Sequence, residues 1–227
     1  MKKVVRELGL GGKILVVGTA EGSIGRTVLE HLQGRGFFVE KFNSLDVRQE
    51  SDFEAIFAES DYKAMVYCAG IYLGGRVSEM SLGDWNKVIE VNLTGAFLAC
   101  KHFLRQKGRK RTIILIGANA AHVPGAGSAA YCVSKAGMSM LTQVIAQETD
   151  GQGVNIVQLD PGIVRDTGMF HSTPTPLEER LENVPAKRAM TKQEVAEWVE
   201  FLLTKGTYAN GVNIKVDGGK TAATRRK

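Results

Sequence analysis

The sequence predicts an α/β fold: a doubly wound parallel β-sheet with helices on both faces. Short apolar runs bounded by glycine alternate with stretches of helical period along the 227 residues. Continuous rather than alternating apolar runs suit parallel strands covered on both sides. Repeated strand–helix–strand order brings right-handed crossovers, with a ligand crevice at the carboxyl ends of the strands. No repeat, low-complexity linker or composition break divides residues 1–227, so the chain reads as a single domain.

The predicted strands are KILVVG (13–18), FFVEKF (37–42), AMVYCAG (64–70), TIILIG (112–117), VNIVQLD (154–160) and NIKVDGG (213–219). The longest helical pattern is 81–106, with Ser81 as N-cap and Asp84 in the first turn. Its apolar positions Trp85, Val88, Ile89, Leu93, Ala96, Phe97 and Cys100 fall at helical spacing.

Apolar residues make up 44% and charged residues 23%, a globular mix. No apolar run reaches the roughly 18–20 residues that span a bilayer, so no membrane role is expected. The start, MKKVVRELGLGGKILVV, is basic and then apolar. No small-residue cleavage site follows, and it leads into a glycine turn, so it reads as the approach to the first strand of a cytoplasmic domain. The net charge of +5 is scattered apart from KGRKR (107–111) and RRK (225–227). Neither is interleaved with aromatics, which argues against a nucleic-acid partner. Cys68, Cys100 and Cys132 are odd in number and lack metal spacing, so reduced thiols and no metal site are expected. Cys132 is expected to be a packed thiol turned away from its neighbour Tyr131.

KILVVGTAEGSIGR has the order strand, glycine-rich turn, helix. Gly18, Gly22 and Gly25 allow a tight turn and let backbone amides approach a pyrophosphate at a helix N-terminus. Such turns also join strands to helices for ordinary reasons. Asp46-Val47 and the strand end Tyr67-Cys68-Ala69-Gly70 fall where a bound adenosine is contacted. Asp46 also reads as an N-cap or turn residue before the helix SDFEAIF, and Gly70 as a strand stop.

Tyr131 and Lys135 stand at i, i+4 on one helical face. A phenol titrating near 10 is a poor proton carrier at neutral pH, and an adjacent ammonium lowers it. The bland alternative is an incidental surface pair. Asn92 falls on the apolar stripe between Ile89 and Ala96, and a buried amide there must be hydrogen-bonded, which by itself reads as a helix kink or a structural amide.

Taken in order, these residues resemble the short-chain dehydrogenase/reductases from about residue 12 to 220. That family shows a glycine turn, an Asp-Val pair, an Asn-Asn-Ala-Gly strand end, a helix Asn, a Ser, a Tyr-x-x-x-Lys and a Pro-Gly. The matching residues here are Gly18, Gly22 and Gly25; Asp46 and Val47; Cys68, Ala69 and Gly70; Asn92; Ala118; Tyr131 and Lys135; Pro161 and Gly162. VDGG (216–219) and MTKQEVAEWVEFLL (190–203) are similar to its C-terminal region. The stretch from Asn119 to Met138 is locally similar to the 2,3-dihydro-2,3-dihydroxybenzoate dehydrogenase branch. The resemblance implies a single-domain Rossmann-type fold and a small-molecule substrate interconverted between secondary alcohol and carbonyl. It also implies a homodimer or homotetramer packed through the Asn92 and Tyr131 helices. By the resemblance, Lys135 holds the nicotinamide ribose, Tyr131 exchanges the substrate proton, and the Asn92 region holds a relay water.

The chain departs from the family in four places. Ala118 stands where the family has the serine that donates to the substrate oxygen. An engineered change, natural loss of redox activity, or a substitute donor such as Asn119 are the readings open. A redox-silent sensor or partner subunit, or a non-redox dehydratase or isomerase, are the alternative functions. The glycine turn carries one extra residue, so Ser23 or Ile24 must be accommodated beside the phosphates. After the second strand the expected acid position is Asn43, followed by Ser44; with Lys41 and Arg26 near, NADP(H) is favoured over NAD(H), while Asp46 keeps NAD(H) open. Thr167, or Asp166 before it, is expected at the nicotinamide amide. Residues 163–190, with Met169, Phe170, His171, Leu177 and Met190, read as a substrate lid; His122 and Val123 border the pocket.

Overall fold

The computed structural model describes residues 12–42, 45–108, 110–171 and 175–223. Six strands form one parallel sheet: β1 (Lys13–Val17), β2 (Val39–Glu40), β3 (Tyr62–Tyr67), β4 (Arg111–Ile116), β5 (Val154–Pro161) and β6 (Val212–Val216), in the order β2-β1-β3-β4-β5-β6. The chain leaves β1 on one side to reach β2, then returns past it to β3. The direction of winding therefore reverses between β1 and β3, and a crevice opens at their carboxyl ends.

Alternate residues of each strand feed two cores. Leu15, Val17, Met65, Tyr67, Ile113 and Leu115 pack with α2 (Glu50–Glu59), α4 (Gly95–Arg105) and α5 (Ala129–Glu148). Ile14, Val16, Ala64, Val66, Ile114 and Leu159 pack with α1 (Ile24–Gly34) and α8 (Lys192–Thr204). Both strand faces are buried, which is why the runs read as continuously apolar.

The 81–106 pattern forms one helical column with a defect in it. Ser81 caps α3 (Leu82–Ile89) by accepting from the Asp84 N–H, as its sequence predicts. A π-helical turn, Glu90–Thr94, then interrupts the α geometry before α4, and the Gly95 N–H reaches back five residues to the Glu90 carbonyl. Phe97 departs from the predicted apolar stripe and is 46% exposed, because the extra π residue rotates the faces that follow. The second strand is also shorter than predicted. Only Val39 and Glu40 pair, and Phe38 is 72% exposed, since an edge strand has a neighbour on one side alone. Asp46 does not cap α2; Gln49 occupies the cap without a side-chain bond. Near the C-terminus, Thr191 and Glu194 form a reciprocal capping box that starts α8. Among the described residues, no helix is long and apolar enough to cross a membrane.

Candidate active site

The glycine edge is built by close backbone approach. Gly18 leaves β1 at φ +85°, and a Cβ there would collide with the Ala69 backbone. A Cβ on Gly25 would meet the Gly18 carbonyl and stand 2.9 Å from Cys68 Cβ. The start of α1 is thereby pressed against the ends of β1 and β3. The extra turn residue has a defined place: Ser23 is the N-cap of α1. Its Oγ accepts from the Arg26 N–H at 3.1 Å and donates to the Gly18 carbonyl at 3.2 Å. Ser23 and Ile24 both line a cavity of about 500 Å³, a volume that suits a small-molecule or cofactor site.

Tyr131 and Lys135 line the same cavity from the first turns of α5. Lys135 is 3% exposed; its Nζ donates to the Ile116 carbonyl at 2.8 Å and lies 5.8 Å from the Tyr131 ring centre. Burial pushes the ammonium down to about 8, against an opposing pull from Asp160 and Cys68. Burial also raises the Tyr131 phenol, with Cys132, Asp160 and Tyr72 pushing the same way. The lowering expected of an adjacent ammonium is not seen in the chain by itself, where Lys135 turns its charge to the Ile116 carbonyl. The Tyr72 ring packs edge-on to Tyr131 at 5.6 Å, and its hydroxyl pairs with Ser128 Oγ at 3.2 Å.

Asn92 is fully buried inside the π turn. Its Oδ1 accepts from the Ile71 N–H at 2.8 Å, and its Nδ2 donates to the Ile71 carbonyl at 3.0 Å and to Ser134 Oγ at 3.1 Å. It thus ties the chain after β3 to α5, one residue from Lys135. Asn92 itself does not line the cavity; it holds Ile71 and Ser134 beside residues that do.

Ala118 lines the cavity with its methyl, while its N–H donates to Asp160 Oδ1 at 3.1 Å. Asp160, at the end of β5, is wholly buried. It also accepts from Gln158 Nε2 at 2.7 Å and pairs with His122 Nε2 at 2.6 Å. Gln158 in turn donates to Ser139 Oγ on α5 at 2.7 Å. A Cβ on Gly117 would collide with Asp160 Oδ1, so this carboxylate requires glycine before Ala118. Burial raises the Asp160 carboxyl, opposed by its bonds to His122 and Gln158. Asn119, next in the chain to Ala118, also lines the cavity.

Cys68, Gly70, Pro161, Gly162 and Thr167 meet at the same cavity. Of the two residues at the Pro-Gly turn, Thr167 faces it and Asp166 does not. Gly18, Gly22, Gly25 and Ala69 do not line it; Gly18 and Gly25 act through their close approach to Ala69 and Cys68. Asp46 and Val47 stand apart from it. The Asp46 carboxylate is bound by Arg48 through Nε at 2.9 Å and Nη2 at 2.7 Å, and it also accepts the Arg48 N–H. Those bonds hold it down to about 2. Asn43 and Ser44 lie outside the described residues.

Several lining residues carry no sequence signal: Tyr72, Ser128, Arg180 and Lys220. Cys132, expected to point away, lines the cavity as well. Of the expected lid, Met169 and Phe170 reach this cavity, whereas Met190 lines a second one of about 550 Å³ beside Trp198 and Phe201. That second cavity holds none of the predicted catalytic or cofactor residues. His171 is exposed with its ring against Phe170.

The family profile described as Enoyl-(Acyl carrier protein) reductase matches residues 10–221. The chain is similar to 2-(S)-hydroxypropyl-CoM dehydrogenase 3 of Xanthobacter autotrophicus, 31% identical over 229 residues, covering 93% of this chain and 88% of the relative. It is also similar to a protein of the same organism named Inactive 2-(S)-hydroxypropyl-CoM dehydrogenase 2, 33% identical over 191 residues, covering 78% of this chain and 83% of that one. Among solved structures, ligand-free aldohexose dehydrogenase of Thermoplasma acidophilum superposes with a TM-score of 0.82 at 25% identity, covering 95% of this chain and 96% of the other.

Proposed function

The chain belongs to the short-chain dehydrogenase/reductase family, and from that premise we propose that it interconverts a secondary alcohol and a carbonyl by NAD(P)-dependent hydride transfer. One observation carries this reading. Ser23 and Ile24, Cys68 and Gly70, Ala118, Tyr131 and Lys135, and Pro161, Gly162 and Thr167 come from five separate segments and line one cavity. The residues fit a dinucleotide, because Gly18 and Gly25 bring the start of α1 against β3 where a side chain would block it.

A nicotinamide nucleotide, when bound, supplies or accepts the hydride. The α1 N-terminus holds the pyrophosphate, and Thr167 holds the carboxamide. Lys135 leaves the Ile116 carbonyl for the ribose hydroxyls, and its charge beside Tyr131 then lets the phenol exchange a proton with the substrate oxygen. Asn92, by fixing Ile71 and Ser134, keeps that pair in place. NADP(H) is favoured over NAD(H): Asp46, the acid that kept NAD(H) open, is committed to Arg48. The exposed apolar residues Phe97 on α4 and Val133, Met140 and Val144 on α5 support a homodimer or homotetramer through these helices. The protein works as one domain in the cytoplasm, on a small molecule.

The test is a titration with NADPH and NADH, followed by an activity screen of wild type and Ala118→Ser against carbonyls and alcohols. Saturable binding with weak turnover that rises in Ala118→Ser is expected. A second reading is a redox-silent binder, favoured by Ala118 itself and by likeness to a relative named as inactive. It predicts tight nucleotide binding with no hydride transfer in either protein. A cofactor-free dehydratase or isomerase predicts no nucleotide binding at all.

A further inference from the structure

The cavity that holds Tyr131 and Lys135 also receives two cations from distant parts of the chain. Arg180 comes from α7 (Leu177–Leu181) in the lid, and Lys220 from the turn after β6. Both are partly buried. The Arg180 guanidinium is held over the Phe170 ring, 4.9 Å from its centre, and Nη1 donates to the Phe170 carbonyl at 3.4 Å. Among the described residues neither cation is in an ion pair. Elsewhere Arg26 pairs with Glu30, Arg35 with Glu200, Arg48 with Asp46 and Arg188 with Glu194, while Arg111, which lines neither cavity, is held over Phe103 and by the Phe103 carbonyl.

Asp217 is close enough to Lys220 to hold its charge up, but its oxygens are bonded elsewhere. The Asp217 carboxylate is taken by the Gly219 and Thr221 N–H groups and by the Thr221 hydroxyl. Glu21, the acid on the cavity wall, belongs to the glycine turn at the other end. Burial lowers both Arg180 and Lys220, and the Arg180 charge pushes Lys220 down further. Two like charges close together and partly withdrawn from water, with no acid bound to either among the described residues, form an arrangement that an anion relieves.

We propose that Arg180 and Lys220 form an anion subsite in the substrate half of the cavity, so that the alcohol or carbonyl substrate carries a carboxylate or an equivalent oxyanion. An arginine fork presents paired donors to such a group, and a lysine adds a point charge. This proposal rests on the oxidoreductase reading above and names the class of its substrate.

The experiment has two arms. In the first, kcat/KM is measured for a small 3-oxo acid and its neutral amide, with NADPH, in wild type, Arg180→Met, Lys220→Met and Arg180→Lys. The acid is preferred by about 10–100-fold in wild type, as expected for a charge-assisted pair. Either methionine variant collapses the preference through KM, Arg180→Lys keeps only part of it because the charge stays while the paired donors go, and the NADPH Kd is unchanged throughout. Equal use of acid and amide by wild type overturns the proposal. So does a weakened NADPH Kd in the variants, which assigns these cations to the nucleotide phosphates. In the second arm, malonate is titrated against NADPH-saturated protein and the Tm followed. A rise in wild type that is lost in the Arg180→Met/Lys220→Met double variant supports the subsite, and an equal or absent rise in both overturns it. No hydride transfer on any substrate, with the malonate response intact, sinks the redox reading and leaves the subsite standing.

Discussion

The two halves of the cavity are built by different means. The glycine edge is made of backbone: the β1 and β3 ends and the first turn of α1 touch where Gly18 and Gly25 have no side chains. The substrate half is made of side chains from α5, the lid and the turn after β6: Tyr131, Phe170, Arg180 and Lys220. Backbone contact tolerates little change and leaves a readable motif. Side-chain walls can be replaced one residue at a time, and at position 118 the wall is an alanine without a donor.

The largest expected effect breaks that contrast directly. Ala118→Ser restores a donor to the reacting oxygen, and turnover rises by roughly 10²–10³, equivalent to about 3–4 kcal/mol. Steady-state kinetics with NADPH measures it; an unchanged rate means that another group, Asn119 for instance, already fills the role or that the site is silent.

Next in size is Lys135, which joins the two halves. Its ammonium is buried and pushed down from its ordinary 10.5 to about 8. A lysine depressed on folding binds fewer protons folded than unfolded between those values, so stability rises with pH across that window. The penalty is therefore fully present below pH 8. Relative to Lys135→Met, wild type gains about 3 kcal/mol between pH 8 and 10.5 in the nucleotide-free state. Urea unfolding at several pH values reads this, and parallel curves for the two proteins would sink it.

Gly25→Ala tests the backbone half. A methyl facing the Gly18 carbonyl costs about 1–3 kcal/mol of stability and weakens NADPH binding, as denaturant midpoints and fluorescence titration will show. Gly22→Ala is the companion control: a Cβ there meets nothing within 4 Å, so its cost is confined to the positive φ of +71°. The smallest effect lies away from the cavity. Thr191→Ala removes the capping box of α8 and costs about 1 kcal/mol without changing nucleotide affinity.

How legible each half was in the sequence follows the same division. The strands, the glycine turn, Ser81 as a cap and the Tyr131–Lys135 pair stand at fixed spacings, and the structure puts them where those spacings predict. The extra residue in the glycine turn was visible, but its use as the α1 N-cap was not, because capping depends on the φ and ψ adopted at Ser23. The π turn lay within an otherwise unbroken helical pattern, and Asn92, read as a helix-kink or structural amide, was its one sign. Phe97 was misplaced for that reason.

The Asp160 network escaped reading altogether. Asp160, His122, Gln158 and Ser139 belong to three segments, and Asp160 resembles an ordinary residue before Pro-Gly until β4 and β5 pair. Arg180 and Lys220 were equally silent: each is one basic residue among 29.

The sequence by itself determined the sheet, its winding and the cradle at the glycine edge. Those depend on local periodicity and on glycines whose spacing is fixed along the chain. Only the tertiary structure decided what surrounds the reacting atoms. It turned Asp46 to Arg48, placed a buried carboxylate beneath Ala118, raised the Tyr131 phenol and brought into one cavity two cations that have no ion pair among the described residues. Burial and charge at a point in space are sums over residues far apart in sequence, and no single stretch of chain contains them.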